Sequence, residues 1–241
     1  MCPTTHTESG RGAGALPDGA LIFAALSFFY LFSFGGVFRV DDEHILAARA
    51  QSLALWGTLD QPQVEGNLRV RELTAYGDAA IQIEPGQAVL GAALYTLGTH
   101  VGGGAAQALF VMNLLATAAT GAAVFATVMR LGWRRGTGLW CAALFGLGTM
   151  AWPYSTTYYR DVLAMLAASL AFFAWACALR TRGIVHGLAL GGAALAVAAG
   201  AFAKNISLAL IVAFAPVVIF AGSNHLGARQ VRLRSLAAGA G

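Results

Sequence analysis

Asp41, Asp42, Glu43 and His44 stand in a row directly after an apolar run. Adjacent carboxylates repel one another, so such a run attracts a cation or a proton. A carboxylate there can also take the proton of an attacking hydroxyl. The same residues can equally open a helix, whose positive end favours acids. A second polar group is Tyr158, Tyr159, Arg160 and Asp161, again at the edge of an apolar run. Ionisable groups in that position are costly unless paired or hydrated, and often mark a working cavity. Pairing of Arg160 with a nearby acid, and Asp161 at a helix start, is the plainer account. The third is Lys204, the only lysine, followed by Asn205. Its ammonium can hold a phosphate as a point charge or reach out to a membrane interface.

The elements that must position these residues are membrane helices. Of 241 residues, 58% are hydrophobic and 11% charged, against about 25% charged in an ordinary soluble domain. That excludes a disordered tail, a nucleic-acid module and most cytosolic enzymes. The net charge of +4 rests on fifteen basic residues, too sparse for a stripe that tracks phosphates, so no nucleic-acid partner is implied. The three cysteines, Cys2, Cys141 and Cys177, have no metal or redox spacing and imply no disulfide framework.

The chain predicts an all-α, polytopic helical membrane protein. Six apolar runs approach the roughly 20 residues a crossing needs, at 20 to 38, 105 to 129, 136 to 152, 162 to 179, 184 to 203 and 206 to 222. The first is retained rather than a signal peptide, because it ends in SFGGVFRV without a small-x-small cleavage site. With the amino terminus inside, the cytoplasmic side receives Arg11, Arg130, Arg134, Arg135, Arg180, Arg182, Arg229, Arg232 and Arg234. Every inter-span loop expected there carries at least two arginines, as the positive-inside rule requires. Residues 1–19 form a cytoplasmic tail and 20–222 the transmembrane domain. Residues 223–241 form a basic cytoplasmic segment leading into what reads as a truncated seventh helix.

The loop from 39 to 104 then falls outside and holds eight of the eleven acids. Within it, Ile45, Leu46, Leu53 and Trp56 share a helical spacing with Arg49 and Gln51 elsewhere, an amphipathic helix expected at the interface. QAVLGAALYTLG, after Pro85 and Gly86, is too short to span and is expected to lie in the interface or re-enter. On this topology Asp42, Glu84, Asp161 and Lys204, from four segments, fall at one membrane surface. Carboxylates to accept a proton and cations to hold a departing phosphate are what group transfer from a lipid-linked phosphate requires.

The run RVDDEHILAARAQSLALWGTLD resembles the first outer loop of the GT-C superfamily of integral-membrane glycosyltransferases, which includes protein mannosyltransferases and aminoarabinose transferases. IQIEPGQAVLGAALYTLG looks like the family's next landmark, though Glu84 is followed by Pro85 and Gly86 rather than by Lys-Pro-Pro. LGTMAWPYSTTYYRDVLAMLAASLAFF and HGLALGGAALAVAAGAFAKNISLALIVAFAPVVI are similar to later helix junctions, so the likeness runs through residues 20–222, an amino-terminal half. The resemblance implies a polyprenyl-phosphate sugar donor and a lipid, glycan or protein acceptor at the extracytoplasmic face of a bacterial inner membrane. By position it implies Asp42 as the catalytic acid, with Asp41 and Glu43 beside it, and Arg160, Asp161 and Lys204 toward the donor phosphate. Glu84, His44 and Tyr159 are further candidates.

A divalent ion, Mg or Mn, would find oxygen and nitrogen ligands in Asp42, Glu43 and His44, with Asp41 adjacent. Two other readings stay open at this point: a non-enzymatic transporter or assembly subunit, and a truncated, inactive relative. No apolar run has the Gly/Pro-broken centre flanked by polar groups that marks a transporter's midplane site.

Overall fold

The computed structural model describes residues 15–59, 84–102 and 104–205, apart from the side chains of residues 15, 16 and 41. Within them the chain forms eight α-helices and no strand. In order these are α1 (Ala15–Phe32), α2 (Asp41–Trp56), α3 (Gly86–Val101), α4 (Ala105–Arg130), α5 (Arg135–Gly148), α6 (Ala151–Ser155), α7 (Asp161–Arg180) and α8 (Ile184–Ala203). The expected span at 206 to 222, the segment 223–241 and most of the amino-terminal tail lie outside the described residues.

Three helices, α4, α7 and α8, are long and apolar enough to cross a membrane. Their bounds nearly coincide with the expected spans, because each is an unbroken apolar run ended by arginine or by a non-helical residue. The other two described spans need correcting. The run at 136 to 152 breaks after Gly148: Thr149 is extended, its hydroxyl takes the Ala151 N–H at 3.1 Å, and α6 is a separate turn. Pro153 has no N–H to return to the Thr149 carbonyl, so continuous helix would lose a bond there. In the first span the apolar helix covers only Pro17–Phe32, short of a full crossing. Past it lie Gly35 and Gly36, the latter at φ 65°, so residues 33–38 leave the helix.

The hub is α4, which packs against α1, α3, α5 and α7. Its buried face carries Asn113, Ala116, Thr117, Ala118, Thr120, Gly121 and Ala123, and that of α7 carries Ala167, Ala171, Ala176 and Ala178. Small residues let helix backbones approach closely, which supplies the dispersion contacts that hold helices together in lipid. The threonines return their hydroxyls to their own helix, Thr117 to the Asn113 carbonyl and Thr120 to that of Ala116, both at 2.8 Å. No polar group of theirs is left bare in an apolar setting. Among the described helices that could cross a membrane α8 is the least buried, at 6% against 67% for α4.

One cluster joins α1 to α4 through Leu26, Tyr30, Leu114 and Ala118, and the Tyr30 hydroxyl donates to the Gly146 carbonyl of α5 at 2.9 Å. A second joins α2, α4 and the loop before α7 through Leu46, Ala50, Leu109, Phe110, Met112 and Tyr158. The expected amphipathic face of α2 is corrected here. Ile45 and Leu46 are buried, but so are Arg49 and Ser52, while Trp56 is exposed. The helix packs on α3 and buries charged and polar residues against protein, so its orientation follows from that packing rather than from an apolar stripe.

The bundle has two ends. Arg130, Arg134, Arg135, Arg180 and Arg182 mark one, and the starts of α2, α3 and α7 with the end of α8 mark the other. At the latter, Gly86 is decisive: a Cβ there would stand 2.5 Å from the Phe202 carbonyl oxygen. Only glycine lets the start of α3 meet the end of α8, which brings Glu84 beside Lys204 and Asn205.

Candidate functional site

The site is built on the loop of residues 156–160, between α6 and α7, which three buried polar side chains grip from three helices. Glu43 reaches back from the first turn of α2 to accept the Arg39 and Val40 N–H groups on Oε2, at 2.5 and 3.3 Å. Its Oε1 accepts the Tyr158 N–H at 2.7 Å. This is half of a capping box, since Val40 has no side-chain acceptor. Gln87, near the start of α3, donates to the Tyr158 carbonyl at 2.7 Å. Asn113, inside α4, donates to the carbonyls of Thr157 and Tyr159 at 2.9 and 2.7 Å. All three side chains are fully buried. Gln87 and Asn113 escaped the sequence reading, although an amide inside an apolar helix is itself a signal, being costly in lipid unless it has partners.

Thus held, the loop presents Tyr159, Arg160 and Asp161. Arg160 pairs with Glu84, and Lys204 pairs with Asp161. The other oxygen of Glu84 accepts the Asn205 N–H at 2.7 Å. Arg49, buried in α2, belongs to the same group: burial and then the Arg160 charge pull its guanidinium below its ordinary value, and Glu84 pushes it back. Sequence reading placed Arg49 on the polar face of α2 and gave it no role here.

Burial raises the Glu84 carboxyl, but it is outweighed by the N–H groups of Asn205 and of Glu84 itself and by the charges of Arg160 and Lys204, so the group titrates below its ordinary 4.5. A carboxyl lowered by folding stabilises the native state above its unfolded value, and the contribution is lost as pH falls through the folded value. The thermal midpoint of the protein in detergent is expected to drop as pH is taken below about 4.5. Glu84→Gln should flatten that part of the curve; an unchanged pH dependence in the variant would disconnect Glu84 from it.

Asp42 is exposed and, among the described residues, has no hydrogen-bond or ion-pair partner. It lies near Tyr159, whose phenol is raised above its ordinary value by partial burial and then by the charges of Glu43, Asp42, Tyr154 and Asp161. That phenol stays protonated and available as a donor. The Tyr154 and Tyr159 rings stand 5.5 Å apart. Tyr154 and Asp161, with Thr149, Met150, Val162 and Met165, line a mainly apolar cavity of about 500 Å³ at the break between α5 and α6.

Of the run from Asp41 to His44, the described side chains of Asp42, Glu43 and His44 have different surroundings. The Asp41 side chain lies outside the described residues, and Glu43 is engaged by three N–H groups. His44 is turned away, its ring 5.0 Å from that of Phe38, and it lines a separate hollow of about 250 Å³ with Gln51 and Tyr95. Among the described residues no three His, Cys, Asp or Glu side chains stand close enough to hold a metal ion. By contrast Glu84, the adjacent Arg160 and Asp161, and Lys204, from three separate segments, are joined as two ion pairs at one end of the bundle.

No family model matches the chain, and neither a curated protein nor a solved structure matches it. Among the described residues the fold is all-helical, with three helices long and apolar enough to cross a membrane and a charged cluster at one end.

Proposed function

We propose that this protein is a GT-C-type membrane glycosyltransferase, or the amino-terminal portion of one, moving a sugar from a polyprenyl-phosphate donor to an acceptor hydroxyl. The observation that carries the reading is the joining of the Arg160–Glu84 and Lys204–Asp161 pairs at one end of the apolar helices, with the charge of the exposed Asp42 felt at the neighbouring Tyr159. Asp42 takes the proton of the acceptor hydroxyl. The hydroxyl oxygen forms the new bond to the anomeric carbon, and the bond from that carbon to the lipid phosphate oxygen breaks. Arg160 and Lys204 stabilise the negative charge on the departing phosphate. The arginines gathered at the opposite end support a cytoplasmic position for that end by the positive-inside rule, and on this reading the site faces the extracytoplasmic side of a bacterial inner membrane.

Sugar transfer from a radiolabelled polyprenyl-phosphate donor, in membranes carrying the full open reading frame, tests the reading. Loss of a general base costs typically a hundredfold or more, so Asp42→Asn is expected to reduce transfer by about that factor. Transfer undiminished in the variant would remove Asp42 from the reaction. Solute uptake by proteoliposomes with no transfer would replace the enzyme with a transporter.

A further inference from the structure

The end of the bundle remote from the charged cluster has a chemistry of its own. Arg130, Arg134, Arg135, Arg180 and Arg182 are all exposed there, contributed by the end of α4, the start of α5 and the turn between α7 and α8. Of the described acids only Asp18 lies at this end, and it is taken by Arg135, which holds both its oxygens at 2.7 Å. The remaining four arginines have no acid beside them among the described residues.

The cations are built into the fold rather than scattered. The Arg180 guanidinium donates to the Leu131 carbonyl at 2.7 Å, and Arg130 Nε lies 3.3 Å from the Cys177 sulfur. These contacts lock the α4–α5 turn against the end of α7. Gly132 makes the approach possible: its φ of 93° turns the chain, and a Cβ there would fall 2.8 Å from an Arg180 terminal nitrogen.

The surroundings are apolar. Trp133 is 62% exposed, Trp140 77% and Ile184 83%, with Val185 and Leu188 also open. Trp133 sits in the arginine turn itself, Ile184 and Val185 open α8, and Trp140 and Leu188 follow about a turn into α5 and α8. A protein or nucleic acid in water would meet the arginines alone. Indoles at the level of guanidinium groups, above bare aliphatic helix, match the boundary of a bilayer, where headgroup phosphates lie over acyl chains.

We propose that this end is a binding surface for anionic phospholipid, with Arg130, Arg134, Arg180 and Arg182 holding headgroup phosphate and Trp133, Trp140 and Ile184 lying against the adjoining chains. The surface is separate from the charged cluster and does not depend on the function assigned to it. Guanidinium groups bind phosphate oxygens bidentately, and each basic residue near an anionic membrane surface adds to the attraction.

The full chain in a neutral detergent can be titrated with phosphatidylglycerol and with phosphatidylcholine of the same acyl chains, counting bound lipid by native mass spectrometry. Phosphatidylglycerol is expected to bind at least tenfold more tightly. Arg134→Gln with Arg182→Gln, which disturbs no hydrogen bond between described residues, should weaken phosphatidylglycerol roughly thirtyfold and leave phosphatidylcholine unchanged. Arg39→Gln, at the other end, should alter neither. Equal binding of the two lipids by the wild type, or a preference that survives the double variant or disappears in Arg39→Gln, would overturn the proposal. So would full displacement of phosphatidylglycerol by millimolar inorganic phosphate, which would make the arginines a site for the free ion. Folding of each variant is read from its circular dichroism and elution volume. Should the double variant misfold, single Arg134→Gln and Arg182→Gln are each expected to lose about fivefold, and no loss in either overturns the proposal equally.

Discussion

Glu43→Gln is expected to lose about 3 kcal/mol of stability, the largest loss from any single polar substitution at this end of the bundle. The wild-type carboxylate accepts on both oxygens, with Tyr158 N–H on one and Arg39 and Val40 N–H on the other. A glutamine offers one oxygen. Whichever side it serves, its NH₂ group faces a backbone donor on the other, and an unpaired buried donor costs about 1–3 kcal/mol before any repulsion between donors. Thermal unfolding in detergent gives the stability, and amide hydrogen exchange locates the damage. Exchange should rise in residues 156–160 and at the start of α2 together, because one side chain ties both. A rise confined to α2, with the loop still protected, would show that Glu43 is only a helix cap.

The second large effect is expected at Asn113. Asn113→Leu keeps the volume and removes both donors, leaving the Thr157 and Tyr159 carbonyls without the amide they now share. The loss should be about 2 kcal/mol. Hydrogen bonds between membrane helices average well below that, because the unfolded chain in lipid finds other partners. Asn113 differs in serving two carbonyls of a non-helical loop, which have no intrahelical partner to fall back on. Thr117→Val is the matched comparison one turn along. Its hydroxyl bonds only to its own helix, at Asn113 O, so it should cost well under 1 kcal/mol. Near-equal losses from the two substitutions, measured by the same unfolding assay, would mean that the loop does not depend on Asn113.

These two residues also mark what separates this sequence from its fold. Apolar runs long enough to cross a membrane were legible as such: α4, α7 and α8 begin and end within a residue of where composition placed them. Local hydrogen bonding completes each helix by itself, and hydrophobicity over some 20 residues is a property of the segment alone. The break at Thr149 was less visible, since it depends on one hydroxyl and one proline within a run that remains apolar throughout. The inward turn of Arg49 was hidden for a different reason. Its face of α2 is chosen by contact with α3 and α4, and by the charges of Glu84 and Arg160, all remote in sequence.

The same division holds for the charged cluster. Residue types and segment ends alone assigned Glu84, Arg160, Asp161 and Lys204 to one end of the bundle. Tertiary structure decided who pairs with whom: Arg160 with Glu84, Lys204 with Asp161, through the close approach that Gly86 permits. It also divided the acidic run, leaving Asp42 exposed, committing Glu43 to backbone N–H groups and turning His44 toward Phe38. Neighbours in sequence at helical spacing point about 100° apart, so three adjacent polar residues cannot all face one site. Sequence by itself determined which segments are apolar and where charge collects. Which charges meet depends on contacts between residues up to 121 positions apart, and those exist only once the helices have packed.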